Sequence, residues 1–257
     1  MPQQDFEHVL ARLAEYEPDF SGSLWLHNYG EPLLDPKLPL KARTAVKHFP
    51  RSAVGIITTM GVPLPATYMP DLLDSGVKNI IVSLYSLNPS SYRSITQSEK
   101  FYTAVENTII AASLSKQKPD VEVCVKTEMK GIREQNNWDL ECPEHNSSVA
   151  RLIRLISDGT LKKISGPDLH NFGNGRAFNP PLHGICRRII AQNILQVLWD
   201  SRVISCCFDY DAQNVLGDLR SESLEEMYQS RRYQDFYQAH LRGDGSRFDT
   251  CRNCDMK

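Results

Sequence analysis

Three short runs of branched apolar residues constrain this chain more than any other feature. Ala53 to Thr59 reads Ala-Val-Gly-Ile-Ile-Thr-Thr, Asn79 to Leu84 reads Asn-Ile-Ile-Val-Ser-Leu, and Val121 to Lys126 reads Val-Glu-Val-Cys-Val-Lys. Near-continuous Val and Ile over so few residues marks strands covered on both faces. Segments of helical spacing separate them. Asp5 to Tyr16 puts Phe6, Val9, Leu10 and Leu13 on one face, and Leu38 to Phe49, Pro65 to Ser75 (with Gly76 to end it), Glu99 to Ser115 and Ser147 to Ser157 follow. Ser23 to His27 and Leu161 to Ile164 add short strands. Buried strands alternating with helices give an α/β fold, a parallel sheet or partial barrel, in which ligands sit beyond the C-terminal strand ends.

After about Pro180 the pattern changes. Ile194 to Trp199 and Arg202 to Cys206, joined through Asp200-Ser201, read as a β-hairpin, and Val215 to Leu219 as a short extended piece. Ser223 to Leu241 reads as one helix, opened by a capping box of Ser223 and Glu226 and closed at Gly243. The expected domains are 1–180, the α/β body, and 181–257, a small α+β module. Hydrophobic residues make up 41% of the 257, enough for a core and against wholesale disorder. Lys plus Arg number 29 against 31 Asp plus Glu, a net charge of −2 with no basic run, so nucleic acid is not an expected partner. No apolar stretch reaches membrane-spanning length, and Met1-Pro2-Gln3-Gln4-Asp5-Phe6 has no signal-peptide pattern. The expected location is cytoplasmic, where seven cysteines are not disulfides and their spacing is read for metal or catalysis.

Five of those cysteines fall in the tail, and four of them form a candidate set. Cys251 and Cys254 form a C-x-x-C pair, Cys206 ends a hairpin strand, and Cys186 precedes it. A hairpin, a returning helix and a terminal thiolate pair can close on one point, and four thiolates suit zinc or an iron–sulfur cluster. The plain alternative is unrelated buried cysteines acting as small hydrophobes. Cys207 competes with Cys206, since adjacent strand residues face opposite sides. Cys124 lies in an apolar strand and reads as core, and Cys142 has no partner spacing.

The strand ends and the tail together resemble the radical S-adenosylmethionine enzymes. Tyr29-Gly30-Glu31-Pro32 follows the first visible strand, Thr58-Thr59-Met60-Gly61 the second, and Val82-Ser83-Leu84-Tyr85 closes the third. The resemblance implies that Gly30, Glu31 and Pro32 meet the methionine amino group, with Ser83 and Lys126 also beside the cofactor. Met60 stands where that family often has Asn. Leu169-His170-Asn171-Phe172-Gly173 sits where its sixth strand ends, a place where His170 and Asn171 either face the substrate or form a structural polar pair. The tail, from Cys186 through Cys206-Cys207-Phe208-Asp209, Val215-Leu216-Gly217-Asp218-Leu219 and the Leu224-Glu225-Glu226-Met227-Tyr228 helix to Cys251-x-x-Cys254, is similar to the auxiliary-cluster region called SPASM, in its shorter twitch form. That implies one auxiliary 4Fe-4S cluster on Cys186, Cys206, Cys251 and Cys254.

One departure is large. No three cysteines have the C-x3-C-x2-C spacing that binds the family's initiating cluster. The expected architecture is therefore a partial (β/α)6-type radical SAM barrel missing its first strand, with a twitch/SPASM-like tail. The expected account is N-terminal truncation, and the alternative is a relative that lost the chemistry. The implied function is a radical S-adenosylmethionine oxidoreductase or maturase acting on a small cyclitol, a sugar or a peptide. It would be reduced by a flavodoxin or ferredoxin, and a second 4Fe-4S cluster is expected only in a full-length form. From a different class, the chain reads as a non-catalytic zinc or iron–sulfur binding protein derived from this fold.

Overall fold

The computed structural model describes residues 1–127, 147–164, 184–191, 194–252 and 254. The chain divides into two compact units, Phe20–Asp168 and Met1–Asp19 together with Leu169–Lys257. The opening helix α1 (Gln3–Tyr16) thus groups with the tail, whereas a simple division near residue 180 puts it with the sheet.

In Phe20–Asp168 five strands form one sheet in chain order: β1 (Ser23–Trp25), β2 (Ala53–Thr58), β3 (Asn79–Ser83), β4 (Glu122–Lys126) and β5 (Lys162–Ile164). Every pairing is parallel. The connections carry α2 (Leu38–His48), α3 (Tyr68–Leu73), α4 (Pro89–Thr96), α5 (Phe101–Ser115) and α6 (Ser147–Ser157). Ile56, Ile80, Val82 and Val125 from the strands meet Leu72, Val105, Ile109 and Leu152 from the helices in one core, all at most 1% exposed. Each such side chain stabilises the fold by about 1.5–3 kcal/mol through burial. Gly55 in the middle of β2 makes room for the Trp25 ring, since a Cβ there would stand 2.7 Å from Trp25 Cζ3.

In the other unit β6 (Gln196–Val197), β7 (Arg202–Ile204) and β8 (Val215–Asp218) form an antiparallel sheet in that order. Around it lie α7 (Arg187–Ala191), α8 (Leu224–Gln229), α9 (Arg231–Leu241) and α10 (Asp249–Arg252). Val9 of α1 joins a core of Val203, Leu216, Leu219, Leu224, Met227 and Phe236. His8 Nε2–H donates to the Leu219 carbonyl at 3.0 Å, and the Tyr16 and Tyr228 rings lie 5.2 Å apart. Gly217 is required by close approach, because a Cβ would come within 2.5 Å of Met227 Cγ.

Two local readings need correction. The expected single helix over Ser223–Leu241 is two helices broken at Ser230, whose ψ of 143° ends α8 and whose hydroxyl accepts from Tyr233 N–H at 3.2 Å to start α9. The capping box itself is present, with Ser223 and Glu226 bonded reciprocally. Helix α4 has no counterpart in the periodicity reading. At eight residues it is too short to show a period, yet Asn88 caps it by accepting from Ser90 and Ser91 N–H, and Pro89 takes its first position. Among the described residues no helix is long and apolar enough to cross a membrane.

Candidate functional site

The C-terminal edge of the parallel sheet gathers the polar residues singled out in the sequence. Glu31 caps a 3-10 turn over Pro32–Leu34, its Oε1 accepting Leu33 N–H at 3.1 Å. Oε1 also accepts the Thr58 hydroxyl at 2.5 Å, while Oε2 accepts Thr59 N–H at 2.7 Å and the Thr59 hydroxyl at 2.6 Å. The carboxylate thereby fastens the loop after β1 to the end of β2. Its acceptor sites, about four in a carboxylate, are filled by the chain's own donors. Two of those donors are hydroxyls, which turn freely, and two are fixed amides. Gly30 is exposed, and a Cβ there meets nothing within 4 Å.

Met60 follows in the left-handed region at φ 58°, fully buried. Its N–H donates to Thr58 Oγ1 at 2.9 Å, and Asn107 of α5 donates to the Met60 and Val62 carbonyls at 2.8 Å each. Asn is among the residues that tolerate this conformation, which gives a physical reason for its frequency at this place in the resembled family. Tyr85, beyond β3, also has positive φ at 59°. Backbone strain of this kind collects at functional sites, and these two positions share the sheet edge where α/β folds bind ligands.

Ser83 and Lys126 are register partners on β3 and β4. Among the described residues neither the Ser83 hydroxyl nor the Lys126 ammonium has a hydrogen-bond or ion-pair partner. Burial holds the Lys126 pKa below its ordinary value. His27, which sequence reading left without a role, accepts Ile57 N–H on Nδ1 at 3.2 Å. Burial first and the charge of Lys126 second depress its pKa to about 4, against a smaller opposing pull from Glu31. It is therefore neutral at pH 7 with its proton on Nε2. His170, Asn171 and Cys142 lie outside the described residues.

The second site is in the tail. Cys186 precedes α7, Cys206 follows β7 in a turn, Cys251 lies on α10 and Cys254 just after it. The four line one pocket together with Arg188, Ile189, Phe208 and Thr250. Cys207 is not in that lining. It faces Arg188, whose Nη2–H donates to Cys207 Sγ at 3.1 Å. Cys206 Sγ accepts Phe208 N–H at 3.3 Å, and burial pushes its thiol up to about 12. A thiolate exists there only with a positive centre beside it. Cys124 is elsewhere, buried in β4, its thiol donating to Glu122 Oε1 at 3.1 Å.

Sequence reading missed the residue that joins these segments. Asp209 is 1% exposed and accepts Gln213 N–H and Asn214 N–H at 2.8 Å each, the Thr250 hydroxyl at 2.9 Å and the Ser205 hydroxyl at 3.4 Å. It links the turn that carries Cys206 to the residue before Cys251. The only signal for it was its place directly after Cys206-Cys207-Phe208.

Four thiols lining one pocket are a donor set that fits either a zinc ion or an iron–sulfur cluster.

Residues 186–255 match the SPASM family, an iron–sulfur cluster-binding domain. Solved structures similar to the chain include BtrN in complex with AdoMet and 2-DOIA, at a TM-score of 0.61 and 17% identity over 99% of this chain and 80% of that one. Native anSMEcpe with bound AdoMet matches at 0.56 and 12% identity over 99% and 80%. Streptococcus suis SuiB matches at 0.55 and 11% over 93% and 62%. No curated protein sequence matches the chain. The fold is that of the radical S-adenosylmethionine enzymes. Its C-terminal segment is a SPASM iron–sulfur cluster-binding domain.

Proposed function

We propose that this chain is a radical S-adenosylmethionine oxidoreductase or maturase whose auxiliary 4Fe-4S cluster is held by Cys186, Cys206, Cys251 and Cys254. The observation that carries the reading is the pocket these four thiols share inside the segment that matches SPASM. S-adenosylmethionine, when bound beside a reduced cluster, supplies hydrogen-atom abstraction from the substrate. The chain's own residues bind and orient it. Lys126, part-buried and without an ion pair among the described residues, suits the carboxylate of an amino acid. Glu31 suits the ammonium, received when the Thr58 and Thr59 hydroxyls turn aside, and Ser83 adds a hydroxyl between them in register with Lys126. The substrate class is a small cyclitol or sugar, as the 2-DOIA in the BtrN structure suggests, or a peptide, as the Kp18Cys peptide in an anSMEcpe structure suggests. A flavodoxin or ferredoxin would serve as reductant.

Anaerobic reconstitution tests the cluster. Four irons and four sulfides per chain are expected, and one zinc without sulfide refutes the assignment. Because residues 1–257 contain no C-x3-C-x2-C, S-adenosylmethionine should bind without yielding 5′-deoxyadenosine under strong reductant. Release of 5′-deoxyadenosine would show that another group performs initiation.

A second reading is favoured by one observation: the carboxylate of Glu31 is already taken up by four donors of its own chain. On that reading Gly30-Glu31-Pro32 is only structural and the protein is a non-catalytic cluster-binding protein. Equilibrium binding of S-adenosylmethionine separates the two, since weakening by Glu31→Gln and by Lys126→Met is expected on the first reading only.

A further inference from the structure

Arg188 is the only cationic side chain lining the cysteine pocket among the described residues. It lies on α7, two residues after Cys186. Its guanidinium stands 4.9 Å from the centre of the Phe208 ring, which also lines the pocket. Nη2–H is engaged by Cys207 Sγ at 3.1 Å. Nε is buried and has no hydrogen-bond partner among the described residues. A buried guanidinium N–H without an acceptor is costly, about 1–3 kcal/mol or more for a charged group, so such a donor marks a place where an acceptor arrives. The other lining groups are thiols, a hydroxyl and apolar surface, and the acceptors a cluster brings are sulfur.

We propose that Arg188 is a positioning residue for the auxiliary cluster. Its Nε–H supplies a charge-assisted hydrogen bond to cluster sulfur, and its Nη2–H retains the Cys207 thiol so that Cys206 alone of the adjacent pair serves as ligand. The inference rests on the cluster assignment above. Two consequences follow from electrostatics. A cluster on four thiolates is anionic, and one added electron deepens that charge, so a desolvated guanidinium beside it favours the reduced form. Removing the guanidinium also releases Cys207 to compete with its neighbour.

The test uses the full chain reconstituted anaerobically, with Arg188→Lys, Arg188→Gln, Cys207→Ala and the Arg188→Gln/Cys207→Ala double variant. Iron and sulfide content, the electron paramagnetic resonance of the reduced cluster and its midpoint potential are measured. In Arg188→Gln the ratio of reduced to oxidised cluster at fixed potential should fall about tenfold, a shift of ~59 mV to more negative potential for a one-electron couple. Arg188→Lys, which keeps a charge but loses the planar donor, should fall between. Cys207→Ala alone should keep the full iron content. If Arg188→Gln loses iron, the double variant should regain it because the competing thiol is gone. A midpoint unchanged in both single Arg188 variants, or iron lost from Arg188→Gln and not regained in the double variant, overturns the proposal. A wild-type chain that assembles no cluster overturns the reading beneath it instead.

Discussion

Replacing Glu31 by glutamine isolates the structural work of the Gly-Glu-Pro segment. The amide keeps the outline of the carboxylate but exchanges one oxygen for an NH2 group. With nitrogen in the Oε2 place it confronts Thr59 N–H, and in the Oε1 place Leu33 N–H. Either way one backbone amide loses its acceptor, at about 1–3 kcal/mol for a part-buried donor. The Thr58 and Thr59 hydroxyls can reverse and accept from the new NH2, so they add little. The remaining bonds lose charge assistance, which roughly doubles such a bond, for another ~1 kcal/mol. The expected loss is about 2–4 kcal/mol, a large share of the roughly 5–15 kcal/mol that stabilises a typical domain.

The assay is urea unfolding of the reconstituted chain, with hydrogen exchange read at the Leu33 and Thr59 amides. The midpoint should fall at unchanged slope for the transition that includes the sheet, and exchange at those two amides should accelerate. Thr59→Val is the control. It removes one hydroxyl donor and the 3.4 Å acceptor of Gly61 N–H but leaves the Leu33 and Thr59 amides satisfied, so it should cost no more than about 1.5 kcal/mol. A Glu31→Gln protein within about 0.5 kcal/mol of wild type, with both amides still protected, would refute the reasoning. Glu31 would then be held in place for a ligand alone.

The other expectations concern the tail and the sheet edge. Asp209→Ala removes an acceptor for four donors in a buried position and should cost about 3–5 kcal/mol in denaturant titration while lowering the iron retained. Cys206→Ala and Cys254→Ala should each reduce iron content well below that of wild type, whereas Cys207→Ala should leave it, as colorimetric iron and sulfide analysis reads directly. His27 takes up its proton near pH 4 when folded against 6.5 as the ordinary value. Between those values the unfolded chain binds more protons, so stability falls as pH drops through that window, by at most about 3 kcal/mol. His27→Asn, which keeps an acceptor for Ile57 N–H, should flatten that slope in urea titrations between pH 7 and 5.

Most of the fold was legible because its signals are local. The Val and Ile runs of β2, β3 and β4 and the apolar stripe of α6, with Val149 and Leu152 buried, depend on nothing outside themselves. The capping box at Ser223 was legible for the same reason. Three things were not. Helix α4 is too short for a period and is carried by its cap. The break at Ser230 requires knowing that a serine inside a helical pattern turns its hydroxyl to the next helix. The grouping of α1 with the tail depends on where Val9 and His8 find partners, Val203 and the Leu219 carbonyl, almost two hundred residues or more away in sequence. At the sites, residue types with few other uses, such as the C-x-x-C pair, were readable. Groups that act by linking distant segments were not, because Asp209, Thr58 and Asn107 acquire their roles only when the chain brings their partners to them.

Those linking groups explain how the two candidate sites differ. Glu31 and Asp209 are both carboxylates that tie together segments bearing site residues. Asp209 is withdrawn from water and takes two amides of its own loop and two hydroxyls, one of which, on Thr250, belongs to a segment next to a cysteine. No solute reaches it to compete, so it acts as a permanent staple. Glu31 is only part-buried, and half of its donors are the hydroxyls of Thr58 and Thr59. An arriving ammonium, with three N–H donors, can displace both hydroxyls while the two amides hold the carboxylate in place. The hydroxyl bonds already draw on the charge of the carboxylate, and the exchange adds the attraction between two opposite charges. On the proposed reading a carboxylate saturated in this way is preorganised for a cation, since its orientation is already fixed before the ligand arrives.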